Sequence, residues 1–274
     1  MPELPEVEVI CRALRPHIIG KRLLAVMVYG GQLRYPLRKN DFRTLIGQRV
    51  RQISRRGKYI VIKMSNGESL LLHLGMSGSL AIAPAASARD RHVRVAWLFS
   101  GKQELRLRDP RRFGMALCWR QKRSAPPFLA RLGPEPLDNH FSATYLFQRS
   151  RQRQCPLKNF LLDQKNVAGI GNIYAAESLF LARLSPFLPA GDLKPAQCRR
   201  LVKAIKAVLA AAIRQGGTTI RDHRLLDGTA GAFAVKLRVY GRAGRPCPAC
   251  RAAIRRVTQA GRSTYYCRYC QGKI

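Results

Sequence analysis

The chain opens Met-Pro-Glu-Leu-Pro-Glu-Val-Glu-Val-Ile, which places Glu3, Glu6 and Glu8 within ten residues. Inside a chain a proline has no nucleophilic nitrogen. Aminopeptidases ordinarily remove Met1 ahead of a residue as small as proline, and Pro2 is then expected to carry a secondary amine. An ordinary α-amino group loses its proton near about 7.7–8.0. Such an amine attacks carbonyl-like carbons and forms a Schiff base, which acts as an electron sink. Glu3 and Glu6 beside it could shuttle protons or stabilise a developing cation. The same residues also suit a first helical turn, where proline is favoured and carboxylates complement the helix dipole. Both readings stand at this point.

A second constellation lies near the other end. Cys247-Pro-Ala-Cys250 and Cys267-Arg-Tyr-Cys270 are two short knuckles separated by sixteen residues. That spacing can bring four thiolates to one tetrahedral Zn²⁺. With four protein ligands no position is left for water, so one structural zinc is expected rather than a catalytic one. Arg251, Arg255, Arg256, Arg262 and Arg268 surround the knuckles and would present a basic hairpin to phosphate. Cys11, Cys118, Cys155 and Cys198 are scattered singly and read as small buried residues in a reducing compartment.

Composition narrows the partners. Lys plus Arg number 50 against 15 Asp plus Glu, a formal charge of +35 with a pI near 11.2. A surface of that kind seeks polyanions, nucleic acid first among them. No segment approaches the roughly 18 apolar residues that span a bilayer. The acidic N-terminus lacks a signal-peptide pattern, so the chain is expected to stay inside the cell.

Elements must position these groups. From Glu6 to Ile19, Val7, Ile10, Leu14 and Ile18 recur at helical spacing, with Gly20 as the stop. From Lys21 to Arg120 the texture is that of strands. Hairpins are expected around Ser65-Asn66-Gly67 and Ser100-Gly101-Lys102. Ala125-Pro-Pro and Gly133-Pro-Glu-Pro136 read as a linker. Beyond it Leu201, Ile205, Val208, Leu209, Ala212 and Ile213 mark one face of a helix ending at Gly216-Gly217. With 274 residues, more than one domain is expected.

Taken in order, Met-Pro-Glu-Leu-Pro-Glu-Val-Glu, Arg56-Gly57-Lys58-Tyr59, His73-Leu-Gly-Met-Ser-Gly-Ser79, Asp109-Pro-Arg-Arg-Phe-Gly114, Gly169-Ile-Gly-Asn-Ile-Tyr174 and the four-cysteine tail resemble the formamidopyrimidine-DNA glycosylases, bacterial base-excision enzymes. The sister endonuclease VIII-like branch, for oxidised pyrimidines, usually opens Pro-Glu-Gly-Pro and is a poorer match.

The resemblance implies an α+β multidomain fold. A β-sandwich with flanking helices would span 1–131, a linker 132–140, a helix–two-turns–helix domain 141–236 and a four-cysteine zinc ribbon 237–274. DNA would lie between the two larger parts. It implies a bifunctional glycosylase and AP lyase acting on oxidised purines in duplex DNA containing a damaged base, in the bacterial cytoplasm at the nucleoid. A monomer suffices for that chemistry.

By motif position Pro2 would be the nucleophile, Glu3 the general acid or base, and Glu6 a support for the N-terminus. Lys58 would aid β-elimination, and Arg262 δ-elimination. Met76, Arg111 and Phe113 would fill the void left by the extruded base. Asn172, His92, Arg153 and Lys158 would contact phosphate. Gly217–Gly231 resembles the loop that closes over the base. Two alternatives stay open here: the same mechanism on oxidised pyrimidines, and a zinc-containing damaged-DNA-binding protein without turnover.

Overall fold

Helix α1 (Leu4–Ile18) forms because Leu4, Val7, Ile10, Cys11, Leu14 and Ile18 recur every three or four residues and bury one face. Each large aliphatic side chain that leaves water there contributes about 2 kcal/mol. Glu6 reaches back to accept the Glu3 backbone N–H at 2.8 Å, satisfying a donor that has no partner inside the helix. Gly20 follows the helix at φ +78°, a left-handed conformation glycine adopts without strain. The structure, a computed structural model, describes residues 2–30, 32–120, 125–218 and 236–272.

The strand-textured region supplies β1 (Leu23–Val28), β2 (Val50–Arg56), β3 (Tyr59–Met64), β4 (Glu68–His73), β5 (Ser79–Pro84), β6 (Val93–Phe99), β7 (Gln103–Arg108) and β8 (Met115–Arg120). They pair antiparallel in two four-stranded sheets, ordered β1-β6-β7-β5 and β2-β3-β4-β8. Val26, Val95, Trp97 and Leu105 from one sheet share a single core with Ile53, Ile60, Ile62 and Leu72 from the other. The buried face of α1 joins the same core. The result is a β-sandwich with a helix laid against it. Both expected hairpins form, β3 with β4 and β6 with β7.

The proline-rich stretch after the sandwich is more ordered than a linker. It carries a short helix, α2 (Pro127–Ala130), whose Phe128 ring stacks on Tyr59 with centroids 5.3 Å apart. Among the described residues four more α-helices follow: α3 (Ala143–Ser150), α4 (Leu157–Leu162), α5 (Asn172–Leu181) and α6 (Pro195–Arg214). The expected face of α6 is buried from Leu201 to Ile213, and Gly216 and Gly217 stand beyond its end at φ +76° and +82°. The chain ends in a hairpin of β9 (Arg255–Gln259) and β10 (Arg262–Tyr266). Its small core, Val239, Cys247, Ile254 and Cys267, packs against Ala176 and Phe180 of α5.

Contacts divide the chain into two compact units. One takes in the sandwich up to Ala130 and the stretch from Gly216; the other holds Arg131–Gln215 and the C-terminal segment. Of the lone cysteines, Cys11 and Cys198 are buried and Cys118 is half-buried. Cys155 departs from the expected pattern: it is exposed, because it lies in the turn that precedes α4 rather than on a packed face.

Candidate active site and metal centre

In the sandwich unit, Pro2, Glu3 and Glu6 are all buried at the start of α1. Glu6 Oε2 holds the Glu3 N–H, while Oε1 accepts the Thr218 backbone N–H at 2.8 Å and the Thr218 hydroxyl at 2.9 Å. A Cβ on Gly217 would stand 3.0 Å from that same Oε1, so the approach depends on glycine. Glu8 is a different kind of carboxylate. Burial acts to raise its pKa, but hydrogen bonds and charge from Arg12 (2.9 Å) and Arg55 (3.2 Å) win and hold it below the usual range. Of the loop Gly217–Gly231, only Gly217 and Thr218 lie among the described residues.

Lys58 sits in the tight turn between β2 and β3, behind Gly57 at φ +56°, and is buried. Its neighbour Tyr59 faces His73 across β3 and β4, with rings 4.8 Å apart. Nδ1 of His73 accepts the Gly75 N–H at 3.0 Å. Burial first, then the positive charges of Arg34 and Lys58, push the His73 pKa down to about 3. The ring is therefore neutral near pH 7, with its proton on Nε2. The sequence assigns His73 no role beyond its place in the His73–Ser79 motif; its strand-end position ahead of Leu74-Gly75 is the available signal.

Met76 and Phe113 are 44% and 45% exposed, although Met and Phe are ordinarily core residues. The guanidinium of Arg111, also exposed, lies over the Phe113 ring at 5.0 Å. Asp109 joins their loops. Its Oδ1 accepts from Ser77 Oγ at 3.0 Å and Arg111 N–H at 3.2 Å, and its Oδ2 from Gly114 N–H at 2.7 Å. Gly75 lies so close that a Cβ there would come within 2.5 Å of the Phe113 carbonyl carbon. The Asp109 N–H also holds the carbonyl of His92, a half-exposed side chain at the start of β6. Asp109 was not singled out from the sequence.

In the second unit, the Sγ atoms of Cys247, Cys250, Cys267 and Cys270 all lie within 4.8 Å of one another. Cys247 and Cys270 are 3.8 Å apart, and Cys250 and Cys267 3.4 Å. Tetrahedral thiolates at about 2.3 Å from zinc stand about 3.8 Å apart, so the donor set fits. These four residues are the ligands of one structural zinc. Glu177, unremarked in the sequence, anchors the approach to the ribbon. Its buried carboxylate accepts the successive N–H groups of Arg238, Val239 and Tyr240 at 2.9, 2.9 and 2.8 Å. Burial raises its pKa against the pull of those bonds.

Arg153 is exposed, next to Gln152 at φ +59°. Asn172 opens α5, and its Nδ2 donates to Ser263 O at 2.9 Å. Arg262 is exposed at the start of β10. Lys158 corrects the expectation of a phosphate contact. It is fully buried, and its ammonium donates to Ser263 O at 3.0 Å and Thr264 Oγ1 at 2.6 Å.

Comparison with known proteins matches each part of this architecture. The formamidopyrimidine-DNA glycosylase N-terminal domain aligns with residues 1–116, its H2TH domain with 132–224, and a zinc finger found in FPG and IleRS with 244–272. The formamidopyrimidine-DNA glycosylase of Acidithiobacillus ferrooxidans is 46% identical over 271 residues, covering 99% of this chain and 100% of that one. The chain belongs to the formamidopyrimidine-DNA glycosylase family. It is accordingly an enzyme of DNA repair. Solved members of the family superpose closely. The MutM (Fpg) protein of Thermus thermophilus gives a TM-score of 0.89 at 41% identity, with 99% of each chain covered. A Lactococcus lactis FPG variant, in complex with a Fapy-dG containing DNA, gives 0.92 at 32% identity, with 99% of this chain and 100% of that one covered.

Proposed function

We propose that the chain excises oxidised purines from duplex DNA and then cuts the strand, with Pro2 as nucleophile. With Met1 removed, the Pro2 nitrogen attacks C1′ of the extruded nucleotide. The bond from C1′ to the base breaks, and the base leaves with that electron pair and a proton. The Pro2 nitrogen gives up its proton, the C1′–O4′ bond breaks with its electron pair going to O4′, which is protonated, and the open-chain sugar is left joined to the enzyme as an iminium. Loss of a C2′ proton expels the 3′ phosphate. Loss of the C4′ proton then breaks the C5′–O bond and expels the 5′ phosphate.

Glu3, buried next to Pro2, is the proton carrier for opening the sugar ring, and Glu6 holds the backbone that aims the amine. Lys58 assists the first elimination and Arg262 the second. Met76, Arg111 and Phe113 occupy the gap in the duplex, as apolar wedges do elsewhere, and the flat fork of Arg111 pairs with the orphaned base. Asn172, His92 and Arg153 hold phosphates. The remaining cationic surface adds affinity for any polyanionic backbone. The enzyme works in the bacterial cytoplasm, where its substrate lies.

The observation that carries this reading is the buried pair Glu3 and Glu6 beside Pro2, in a chain otherwise dominated by cations. Relatives solved with Fapy-dG and with 8-oxo-G containing DNA support the purine assignment. The test is borohydride trapping on duplexes carrying 8-oxoguanine or an oxidised pyrimidine, with protein whose first residue is verified as Pro2. A covalent adduct on 8-oxoguanine, lost in Pro2→Gly, is the expected result. Preference for the pyrimidine duplex would move the substrate to the sister branch. Tight binding with no adduct on either duplex would rule out the imine mechanism.

A further inference from the structure

Ser263 O is held from two sides, by Lys158 Nζ at 3.0 Å and by Asn172 Nδ2 at 2.9 Å. Lys158 also donates to Thr264 Oγ1, and Thr264 gives its own hydroxyl hydrogen to Gln259 Oε1 at 3.0 Å. Gln259 Nε2 in turn reaches Pro186 O at 3.4 Å, the carbonyl that also receives the Lys158 N–H at 3.2 Å. Gln259 and Arg262 face each other in the last pair of the β9–β10 hairpin. Between them Ala260 and Gly261 make the turn, at φ +48° and +70°. Near the tip β10 is therefore fastened to Lys158 of α4 through Thr264 and the residue beside Arg262, and β9 to the Pro186 carbonyl through Gln259.

The zinc cannot do this fastening. Its ligand Cys267 follows β10, at the opposite end of the hairpin from the turn. An isolated two-stranded hairpin is marginally stable, so its tip needs a separate hold. A buried ammonium is expensive to desolvate, and hydrogen bonds from it are stronger than neutral ones. Lys158 and Thr264 are both fully buried, whereas Arg262 projects into solvent.

We propose that Lys158 is a positioning residue for Arg262, and that losing its ammonium uncouples the second strand cut from the first. This rests on the reading given under Proposed function. In that reading the first elimination needs the iminium on Pro2, whereas the second needs a cation at the departing 5′ phosphate. A guanidinium on a tip held only by Asn172 and Gln259 reaches that phosphate in fewer molecules at any instant.

The experiment compares wild type, Lys158→Met, Arg262→Ala and the double variant on an abasic-site duplex, with zinc content verified. It reads the borohydride-trapped fraction and the ratio of doubly to singly cut product. Lys158→Met is expected to trap within about twofold of wild type while the ratio falls about tenfold, given how steeply rate depends on placement. The double variant is expected to match Arg262→Ala, and Lys158→Gln, which keeps a donor, to recover part of the ratio. An unchanged ratio in zinc-loaded Lys158→Met, or additive losses in the double variant, would overturn the proposal. If Lys158→Met fails to fold or to load zinc, Thr264→Val decides by the same ratio. A wild type that does not trap at all would overturn the parent reading, and this inference with it.

Discussion

Glu6 Oε1 accepts the Thr218 backbone N–H at 2.8 Å and the Thr218 hydroxyl at 2.9 Å. One carboxylate thus ties the first turn of the N-terminal helix to the residue that follows Gly217. Thr218→Val keeps the backbone bond and removes the hydroxyl, and a hydrogen bond to a charged group contributes about 1.5–3 kcal/mol. We expect the rate of trapping at Pro2 to fall about tenfold, the equivalent of about 1.4 kcal/mol. The same loss should lower the thermal midpoint of the sandwich by a few degrees. Rapid-quench trapping alongside a circular-dichroism melt checks both; equal trapping rates would show that the hydroxyl plays no part.

Asp109 accepts from Ser77, Arg111 and Gly114, and so ties the loop bearing Met76 to the loop bearing Arg111 and Phe113. Asp109→Asn sets an amide N–H against a backbone N–H, a mismatch that costs about 1–3 kcal/mol. The expected result is weaker discrimination among the four bases opposite 8-oxoguanine, with cleavage of a preformed abasic site less affected. Steady-state kcat/KM on the four duplexes measures this. Intact discrimination in a folded variant would mean that the loops hold their places without the carboxylate.

Zinc removal should act locally. The ribbon core contains two of the ligands, Cys247 and Cys267, and packs on α5, whereas the sandwich has its own core. After chelation, fluorescence anisotropy should show duplex affinity reduced about tenfold or more, since the ribbon is a metal-dependent fold. The far-ultraviolet signature of the strands should persist. Undiminished affinity in verified zinc-free protein would separate the ribbon from DNA binding.

His73 predicts a pH dependence with a definite sign. Its folded pKa is depressed to about 3, well below the ordinary value near 6.5. Between those values the unfolded chain takes up a proton that the folded protein refuses, so stability falls as pH falls through that window. The slope from this residue is at most about 1.4 kcal/mol per pH unit. Urea titrations from pH 4 to 7 on wild type and His73→Gln should show the variant with the shallower slope. Parallel slopes would mean that His73 accepts a proton in the folded state.

Features that depend on near neighbours or on fixed spacing were legible in the sequence. The four cysteines, the hairpin turns at Asn66-Gly67 and Gly101, and the buried stripe of α6 are of this kind. Lys158 was not legible, because its burial depends on Ser263 and Thr264, more than a hundred residues away. On a chain with 50 cationic residues, one lysine in a basic stretch looks like any other. Glu177 was hidden for the same reason, since its partners at 238–240 supply only backbone groups, which every sequence has. Met76 and Phe113 show the converse: residue type suggested the core, and only the motifs placed them at the surface.

Among the described residues five carboxylates are buried, Glu3, Glu6, Glu104, Asp109 and Glu177, against four cations, Lys58, Arg94, Arg106 and Lys158. The buried charges of the described residues therefore nearly cancel, and their large excess of positive charge lies at the surface, as a shell. Such a shell travels with a cloud of small anions, just as a duplex travels with a cloud of cations. Contact lets both clouds disperse, and that gain in entropy is indifferent to base sequence. Affinity for undamaged duplex is accordingly expected to be substantial and to fall steeply as salt rises.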